Sequence, residues 1–300
     1  AIRRQRQMCI RDRSNYVAAI VAGCICPAGA EVDTLGIQIT ANGRHKAVLL
    51  YDTEQSEVQL FKNVGNLLAR AKQPDKPDEL KAFCLTGMSR KERLNAIVQS
   101  MDKFYYQYGG IQLVVIDGIA DLVKSANDEA ESVAVIDELY RLAGIYNTCI
   151  LCVLHFVPNG LKLRGHLGSE LQRKAATILS IEKDDEPAQS VVKALKVRDG
   201  SPLDVPLMLF AWDKEAGMHV YKGEKPREEK EKRKERELVN VARDIFGRQT
   251  RITYIDLCEQ LQQVLDVKER TAKSYIRFMR EREIIIKDPV NQSYFMIGLI

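Results

Sequence analysis

The segment QLVVIDG, residues 112–118, decides the fold class of this chain. Its apolar run is typical of a short buried strand, and Asp117 follows at the carboxyl end of that run. Three similar runs rich in β-branched or other apolar residues occur elsewhere, namely AVLLYD (47–52), KAFCLT (81–86) and CILCVLHF (149–156). Segments with helical periodicity separate these runs, and that alternation predicts an α/β fold with a doubly wound, mainly parallel sheet.

The helices predicted between these strands are residues 57–72, 89–107 and 128–146, each with apolar residues three and four positions apart. Beyond them, ATILSIE (176–182) and VVKALKVR (191–198) belong to a region of strands joined by short turns. Short turns favour antiparallel pairing, so we expect these strands to extend the sheet in an antiparallel manner.

Length and composition indicate two domains in these 300 residues, of which 45% are hydrophobic. The stretch KGEKPREEKEKRKERE, residues 222–237, holds eight basic and six acidic residues and predicts a solvated linker, either extended or helical. Helical periodicity restarts at Leu238 and is followed by two strand-like runs, EIIIKD (283–288) and SYFMIGL (293–299). We therefore expect a large domain over residues 14–221 and a small α+β domain over residues 238–300.

The overall charge and the cysteines of the chain exclude few classes of protein. A formal charge of +4 is too small to identify a partner. The absence of a long apolar run, together with an arginine-rich first segment, argues against a membrane span and predicts a cytoplasmic protein. The seven cysteines include a CxxC pair, Cys149 and Cys152, which we interpret as part of a buried strand with reduced thiols rather than as a metal site.

Three polar side chains follow the predicted parallel strands. Glu54 follows the first strand, Asp117 ends the third and His155 follows the fourth. Ligands of open α/β sheets bind at the carboxyl ends of the strands, where an aspartate can hold Mg²⁺ and a glutamate can polarise water. Ordinary alternatives remain for each, because many strands end in Asp and because Glu54 lies in a turn where Asp52 or Thr53 can cap the next helix.

Two later segments add positive charge. The glycine-punctuated stretch VPNGLKLRGHLGSELQRKA, residues 157–175, carries Arg164, Arg173 and Lys174, which are candidates for contacts with DNA. In LKVRDGSP, residues 195–202, Lys196 and Arg198 occupy alternate positions of a strand and so share one face. They are either surface residues or a pair that reaches a phosphate bound by a neighbouring subunit.

The segments YDTEQS, VVIDG, LHF, RGHLGSELQRKAATILSIEKD and KVRDG occur in an order and spacing that resembles the RecA-like ATPase core of hexameric replicative helicases, of the bacterial replicative and plasmid RepA type. The K-x-R-x-G pattern is the most specific, and recombinases and clock ATPases remain related possibilities. The resemblance implies ATP and Mg²⁺ as cofactors and a homo-oligomeric, hexameric ring. It also implies the roles of five residues: Glu54 as catalytic glutamate, Asp117 as magnesium ligand, His155 as γ-phosphate sensor, and Lys196 with Arg198 in the neighbouring subunit's site.

The phosphate-binding loop of that family, G-x-x-x-x-G-K-[ST], is missing. SNYVAAIVAG, residues 14–23, resembles the helix that follows the loop, which would make Ser14 the hydroxyl ligand of magnesium. Arg13 then stands in the lysine position and Asp12 in a glycine position, from which its carboxylate is expected to point toward the phosphates. We expect residues 1–13 to be non-native or irregular, as in a truncated chain, and ATP hydrolysis to be lost; a genuinely degenerate site is the alternative.

Residues 238–300 resemble a winged helix-turn-helix domain, whose third helix enters the major groove. Between Lys268 and Arg282 there are six basic and two acidic residues, and Ala272, Ile276 and Met279 have core spacing. The residues predicted to face DNA are Lys268, Arg270, Thr271, Lys273, Ser274 and Arg277. A winged helix that binds protein, with these charges merely solvated, is the alternative.

Together these features predict an ATP-driven DNA helicase or DNA-translocating ATPase in replication or mobile-element maintenance, with DNA and possible replication proteins as partners. The alternative is a nucleotide-sensing, DNA-binding regulator or loader that does not unwind DNA.

Overall fold

The computed structural model describes residues 2–155, 165–184, 189–225, 230–247 and 249–298. The chain divides into two compact units, Ala1–Pro226 and Arg227–Ile300. The helices and strands of the first unit are α1 (Ile2–Ile25), β1 (Ala47–Asp52), α2 (Glu57–Arg70), β2 (Leu80–Cys84), α3 (Arg90–Tyr108), β3 (Ile111–Asp117), α4 (Glu129–Ile145), β4 (Cys149–Val153), α5 (Gly165–Lys174), β5 (Thr177–Lys183), β6 (Gln189–Val197), β7 (Leu207–Asp213) and β8 (Met218–Lys225).

A four-stranded parallel sheet in the order β2-β1-β3-β4 forms the centre of the first unit. Helices cover both faces: residues of α1 and α2 pack with Val48 and Leu50, whereas residues of α3 and α4 pack with Leu49 and Tyr51. Alternate residues of a strand point to opposite faces, which explains why β1 is buried throughout. The prediction of an α/β fold with a parallel sheet is confirmed.

The strands β5-β6-β7-β8 form a second, antiparallel sheet. The antiparallel pairing is as predicted, but the expected extension of the parallel sheet is wrong, since the described strands show no pairing between β4 and β5. The chain instead returns through α5, which packs on α4 before β5 begins. β4 is therefore an edge strand, and Cys149 is exposed rather than buried as the sequence predicted.

Helix α1 begins at Ile2, whereas the sequence predicted an irregular segment up to Arg13. The physical reason is composition, because residues 2–22 contain neither glycine nor proline to interrupt a helix. The second half of α1 packs against the core through Tyr16, Val17, Ile20 and Val21, all of which are buried. Burial of each large apolar side chain contributes about 1.5–3 kcal/mol, so this half anchors the helix.

The second unit contains α6 (Lys230–Phe246), β9 (Ile252–Thr253), α7 (Tyr254–Leu265), α8 (Glu269–Glu281), β10 (Ile285–Lys287) and β11 (Tyr294–Ile297), with its strands in the order β10-β11-β9. Ala272, Ile276 and Met279 of α8 are buried in its core, as predicted. In the charged segment 222–237, β8 continues to Lys225 and α6 begins at Lys230, so its second half has the helical form that the sequence allowed. Across the described residues of both units, every helix is too short or too polar to span a membrane.

Candidate functional site

The carboxyl ends of β1 and β3 place two aspartates side by side. The parallel register pairs Asp52 with Asp117, and both side chains are buried. Glu54 follows two residues after Asp52, so three carboxylates lie at one edge of the sheet. The sequence predicted this meeting of Glu54 and Asp117 from the strand ends alone.

Gly118 makes the tight turn after β3 possible. Its φ of 100° is in the left-handed region, and a Cβ atom there would lie 2.3 Å from Thr53 Oγ1. The Thr53 hydroxyl lies 2.8 Å from the carbonyl oxygen of Gly118 and 3.1 Å from that of Asp117, either of which can accept its proton. A side chain at position 118 would therefore push the β1 and β3 ends apart.

His155 follows β4 and completes the group. Its Nε2 atom lies 3.4 Å from Glu54 Oε2. Because β4 is the neighbour of β3 in the sheet, the imidazole stands on the same edge as Asp117. The structure thus brings together Glu54, Asp117 and His155, the three residues that the sequence assigned to one site.

Arg13 occupies the space between these three residues. Its Nη2 atom lies 3.3 Å from Asp117 Oδ1 and 3.4 Å from Glu54 Oε2. Its Nη1 atom lies 2.8 Å from Nε2 and 3.1 Å from Nδ1 of His155. Neither Arg13 Nε nor Asp117 Oδ1 makes a hydrogen bond within the described part of the chain, so the guanidinium fills the site without satisfying it fully.

The electrostatics of the site follow from burial and from this one cation. Burial raises the pKa of Asp117 to about 6, even though the Arg13 guanidinium acts to lower it. The hydrogen bond from His155 lowers the pKa of Glu54, and this effect together with the charge of Arg13 outweighs the desolvation of that carboxyl group. Glu54 is therefore the more readily ionised of the two carboxyl groups.

Asp52 has a structural role that the sequence did not predict. Its Oδ1 atom accepts hydrogen bonds from the backbone N–H groups of Glu54 and Gln55, at 3.0 and 2.8 Å. The cap of α2 is Ser56 rather than Asp52 or Thr53, since the Ser56 hydroxyl accepts from the backbone of Gln59. Asp52 thus fixes the loop that presents Glu54.

The expectation for Asp12 is wrong, because its carboxylate points toward the antiparallel sheet. It accepts from Ser190 Oγ at 2.9 Å and lies 2.6 Å from Lys183 Nζ and 3.1 Å from His219 Nε2. Desolvation opposes ionisation here, but the hydrogen bonds from His219, Lys183 and Ser190 outweigh it and lower the pKa of Asp12. Adjacent residues of a helix project in different directions, so Asp12 cannot point into the site that Arg13 occupies.

Ser14 lines a small cavity of about 30 Å³ together with Asp52, Asn63 and Asp117. The predicted magnesium ligands Ser14 and Asp117 are therefore neighbours. The buried Asp117 Oδ1 atom accepts no hydrogen bond from the described residues, so it is available to a cation. Within the part of the chain that the structure describes, no three His, Cys, Asp or Glu side chains are arranged so that together they could hold a metal ion. Residues 7–13 lie in α1, whose N–H groups bond within the helix, so they offer no loop for a triphosphate.

Lys196 and Arg198 lie at another place in the fold. Lys196 Nζ donates to the carbonyl oxygen of Gln172 at 2.6 Å, and Arg198 Nη2 donates to that of Lys174 at 3.0 Å. Cations at a helix C-terminus satisfy its free carbonyl groups, and here they cap α5. Within the described residues, neither side chain contacts Glu54, Asp117 or His155.

Two of the three residues of segment 157–175 that were predicted to contact DNA lie in the described part of the chain, and both have local acidic partners. Arg173 pairs with Glu170 at 2.6 Å, and Lys174 pairs with Asp137 at 2.9 Å. Arg164 lies outside the described residues.

On α8, the residues Lys268, Arg270, Lys273, Ser274 and Arg277 are exposed and Thr271 is half-buried. Lys273 pairs with Glu269 at 2.7 Å and Arg277 with Glu281 at 2.8 Å, each within the same helix. The outward orientation agrees with the prediction, but two of the positive charges are already matched by acidic neighbours.

Comparison of the chain with protein-family models and with curated proteins gives no match. The chemistry of the site therefore has to be argued from its own geometry. That geometry offers an ionised glutamate beside an imidazole, a buried aspartate whose Oδ1 atom accepts no hydrogen bond from the described residues, and an arginine that neutralises both carboxylates. Sequence reasoning missed the role of Arg13, for which the only signal was a basic residue directly before Ser14.

Proposed function

We propose that the first unit is a RecA-like ATPase domain and the second a winged helix-turn-helix domain that binds DNA. The chain would then belong to an ATP-driven DNA helicase or DNA-translocating ATPase in replication or mobile-element maintenance. The observation that carries this proposal is the convergence of Glu54, Asp117 and His155 at the carboxyl edge of one parallel sheet. Open α/β sheets bind nucleotides at this edge.

Each side chain has a separate role in this proposal. Asp117, with Ser14 beside it, would hold the Mg²⁺ ion, which neutralises charge on the phosphates when bound. Glu54 accepts a hydrogen bond from the attacking water, and its lowered pKa keeps it in the ionised form that this requires. His155, which contacts Glu54, would respond to the terminal phosphate.

The chain as it stands would hydrolyse ATP poorly. Arg13 already neutralises Glu54 and Asp117, and the helical residues before it offer no phosphate loop. Restoring a glycine-rich loop should release the carboxylates from Arg13 and supply the backbone N–H groups that cradle phosphates.

Lys196 and Arg198 would act across a subunit interface of a homo-oligomeric, hexameric ring. Their place on the carbonyl end of α5 keeps them apart from the Glu54 site of the same chain. An arginine supplied in trans stabilises the charge of the transferring phosphoryl group and is worth roughly 10³ to 10⁵ in rate.

A second candidate function is a nucleotide-sensing, DNA-binding regulator or loader that does not unwind DNA. The seating of Arg13 between Glu54 and Asp117 favours it, since a guanidinium in this position blocks hydrolysis while the fold remains intact. Strand displacement by an ATPase-competent variant separates the two candidates, because a regulator would hydrolyse ATP without displacing a strand.

The test starts from a variant in which a G-x-x-x-x-G-K sequence replaces residues 7–13. We expect it to gain ATPase activity that Glu54→Gln and Arg198→Ala each abolish, with nucleotide binding retained. Glu79→Gln, a carboxylate that pairs with His45 elsewhere, is the matched control and should keep the activity.

Mixing the two inactive variants should restore part of the turnover. In the mixture, some interfaces join an Arg198→Ala subunit, which still has Glu54, to a Glu54→Gln subunit, which still has Arg198. Such an interface has both residues of the shared site. Full activity of Arg198→Ala alone would contradict the shared site, as would a lack of turnover in a mixture whose subunits demonstrably exchange.

A further inference from the structure

A basic groove of about 380 Å³ lies along the outer edge of β2, where it meets α3. Its lining includes Lys76, Lys81, Phe83, Lys103, Phe104 and Gln107. β2 is the last strand of the parallel sheet, so the groove follows an open sheet edge. We call this feature the lysine groove; none of the candidate site residues discussed above lines it.

Within the described residues, none of the three lysines of the groove forms a salt bridge, although the charge of Lys81 acts on the nearby Glu79 carboxylate. Elsewhere in the same unit, Lys183, Lys193 and Lys225 each lie within 2.7 Å of a carboxylate oxygen. The groove lining, by contrast, contains no acidic residue at all. The lining of the lysine groove therefore carries three positive charges and no negative one, on a chain whose formal net charge is only +4.

Neighbouring groups hold the three ammonium groups over the groove. Lys76 Nζ donates to the carbonyl oxygen of Leu80 at 2.9 Å. Lys81 Nζ lies 5.7 Å and Lys103 Nζ 5.5 Å from the centre of the Phe104 ring. Cation–π contacts of this length favour such positions without neutralising the charge, so the ammonium groups stay available to an anion.

The aromatic rings of the groove are already engaged. Phe83 stacks on Tyr51 with ring centres 5.4 Å apart, and Phe104 is buried beneath the lysines. Single-strand binding proteins stack bases on free rings, which this groove does not present. A ligand here must be recognised by its charge rather than by its bases.

We propose that the lysine groove binds a chain of phosphates, such as the phosphodiester backbone of single-stranded nucleic acid or an inorganic polyphosphate. Lysine ammonium groups are compact point charges that suit repeated phosphate oxygens without demanding one geometry. An open groove lined by three lysines that form no salt bridge with the described residues fits a chain of phosphates better than a single phosphate. The proposal does not depend on ATP hydrolysis at the Glu54 site.

Protection of the sheet edge is the competing explanation for these lysines. Lysine on an edge strand discourages pairing with other chains. If Lys76, Lys81 and Lys103 only protect the edge, their replacement should promote aggregation and leave anion binding unchanged.

The test measures binding of the full chain to two labelled probes, a single-stranded oligothymidylate and a linear polyphosphate, as a function of salt. The triple variant Lys76→Gln, Lys81→Gln, Lys103→Gln should lose at least tenfold in affinity. Each lost phosphate contact lowers the log–log salt slope by about 0.7 for a single strand, so the slope should fall by about 2.

The matched control replaces Lys62, Lys91 and Lys214, which are exposed and lie outside the groove lining, by Gln. It changes the net charge equally and should leave most of the binding intact. The single variant Lys103→Gln, which changes an exposed side chain, keeps the test valid if the triple variant does not fold.

Three results would overturn the proposal: no binding of either probe, equal losses in the groove and control variants, or equal competition by polyglutamate of the same charge. If only the oligothymidylate responds to the groove variant, the source of phosphate is nucleic acid. If only the polyphosphate responds, it is a phosphoanhydride chain.

Discussion

Arg13 Nη2 lies 3.3 Å from Asp117 Oδ1, joining the middle of the first helix to the carboxyl end of a central strand. The contact places one partly buried positive charge beside a carboxyl group whose pKa burial raises to about 6. The pKa of Asp117 is raised even though the Arg13 guanidinium is this close, which means that the site disfavours the ionised aspartate. Such a site stabilises the fold less than its ion pairs suggest.

Asp117→Asn should therefore stabilise the fold at pH 8. The folded pKa of about 6 lies above the ordinary value of 3.8, so the folded state binds the proton more tightly than the unfolded chain does. Below pH 3.8, the protonated Asp117 makes its full contribution to the free energy of unfolding. This contribution is lost as the pH rises through 6, and the free energy of unfolding is then lower by about 1–3 kcal/mol. Urea unfolding at pH 8 and at pH 4 measures it.

We expect Asp117→Asn to raise the free energy of unfolding at pH 8 and to change it very little at pH 4. Asp121→Asn is the control, since the side chain of Asp121 is 43% exposed and its contact with Arg93 is 3.7 Å long. A loss of stability in Asp117→Asn at pH 8 would mean that the Arg13 contact outweighs the burial of the charge.

Asp12→Asn should have the opposite effect, a loss of about 3–5 kcal/mol at neutral pH, because it leaves Lys183 without its buried carboxylate partner. The pKa of Asp12 is lowered in the folded state, so its contribution is present above the unfolded value of 3.8. It disappears as the pH falls below 3.8 toward the folded pKa.

Urea unfolding of wild type and Asp12→Asn across this range gives the difference between them. The partly exposed pair of Asp213 and Lys222, 3.7 Å apart, provides the control variant Asp213→Asn, which should change stability by less than about 1 kcal/mol. Equal effects of the two substitutions would show that the Asp12 cluster does not anchor α1.

The helices and strands of the parallel sheet could be predicted because their signals are local. Helix α4 begins after Asp128, whose side chain accepts from the backbone of Glu131, and α3 begins with a capping box formed by Ser89 and Glu92. α3 ends at Gly109, which has the left-handed conformation. These signals are readable without knowledge of the tertiary structure, and they place the helix ends within a few residues.

The candidate site was predictable only as far as strand ends determine it. Glu54, Asp117 and His155 meet because parallel strands end at one edge, which is a property of the sheet. The directions of Arg13 and Asp12 depend on partners far along the chain, in β3 and in the antiparallel sheet. Lys196 and Arg198 bond to backbone carbonyl groups, and no residue type in the sequence signals such partners.

The last prediction concerns α8 and uses its internal ion pairs. If α8 binds the phosphates of DNA, Glu269 and Glu281 compete with DNA for Lys273 and Arg277. Glu269→Gln with Glu281→Gln should free two cations and strengthen duplex binding by the full chain. Each additional phosphate contact should steepen the log–log salt slope by about 0.9.

Arg270→Ala should weaken binding more than Lys273→Ala does, because Arg270 has no ion pair with a carboxylate among the described residues. Glu259→Gln, on α7, is the control for the change in net charge. Unchanged affinity and slope in the double variant would exclude α8 as the DNA-contacting helix and favour a winged helix that binds protein.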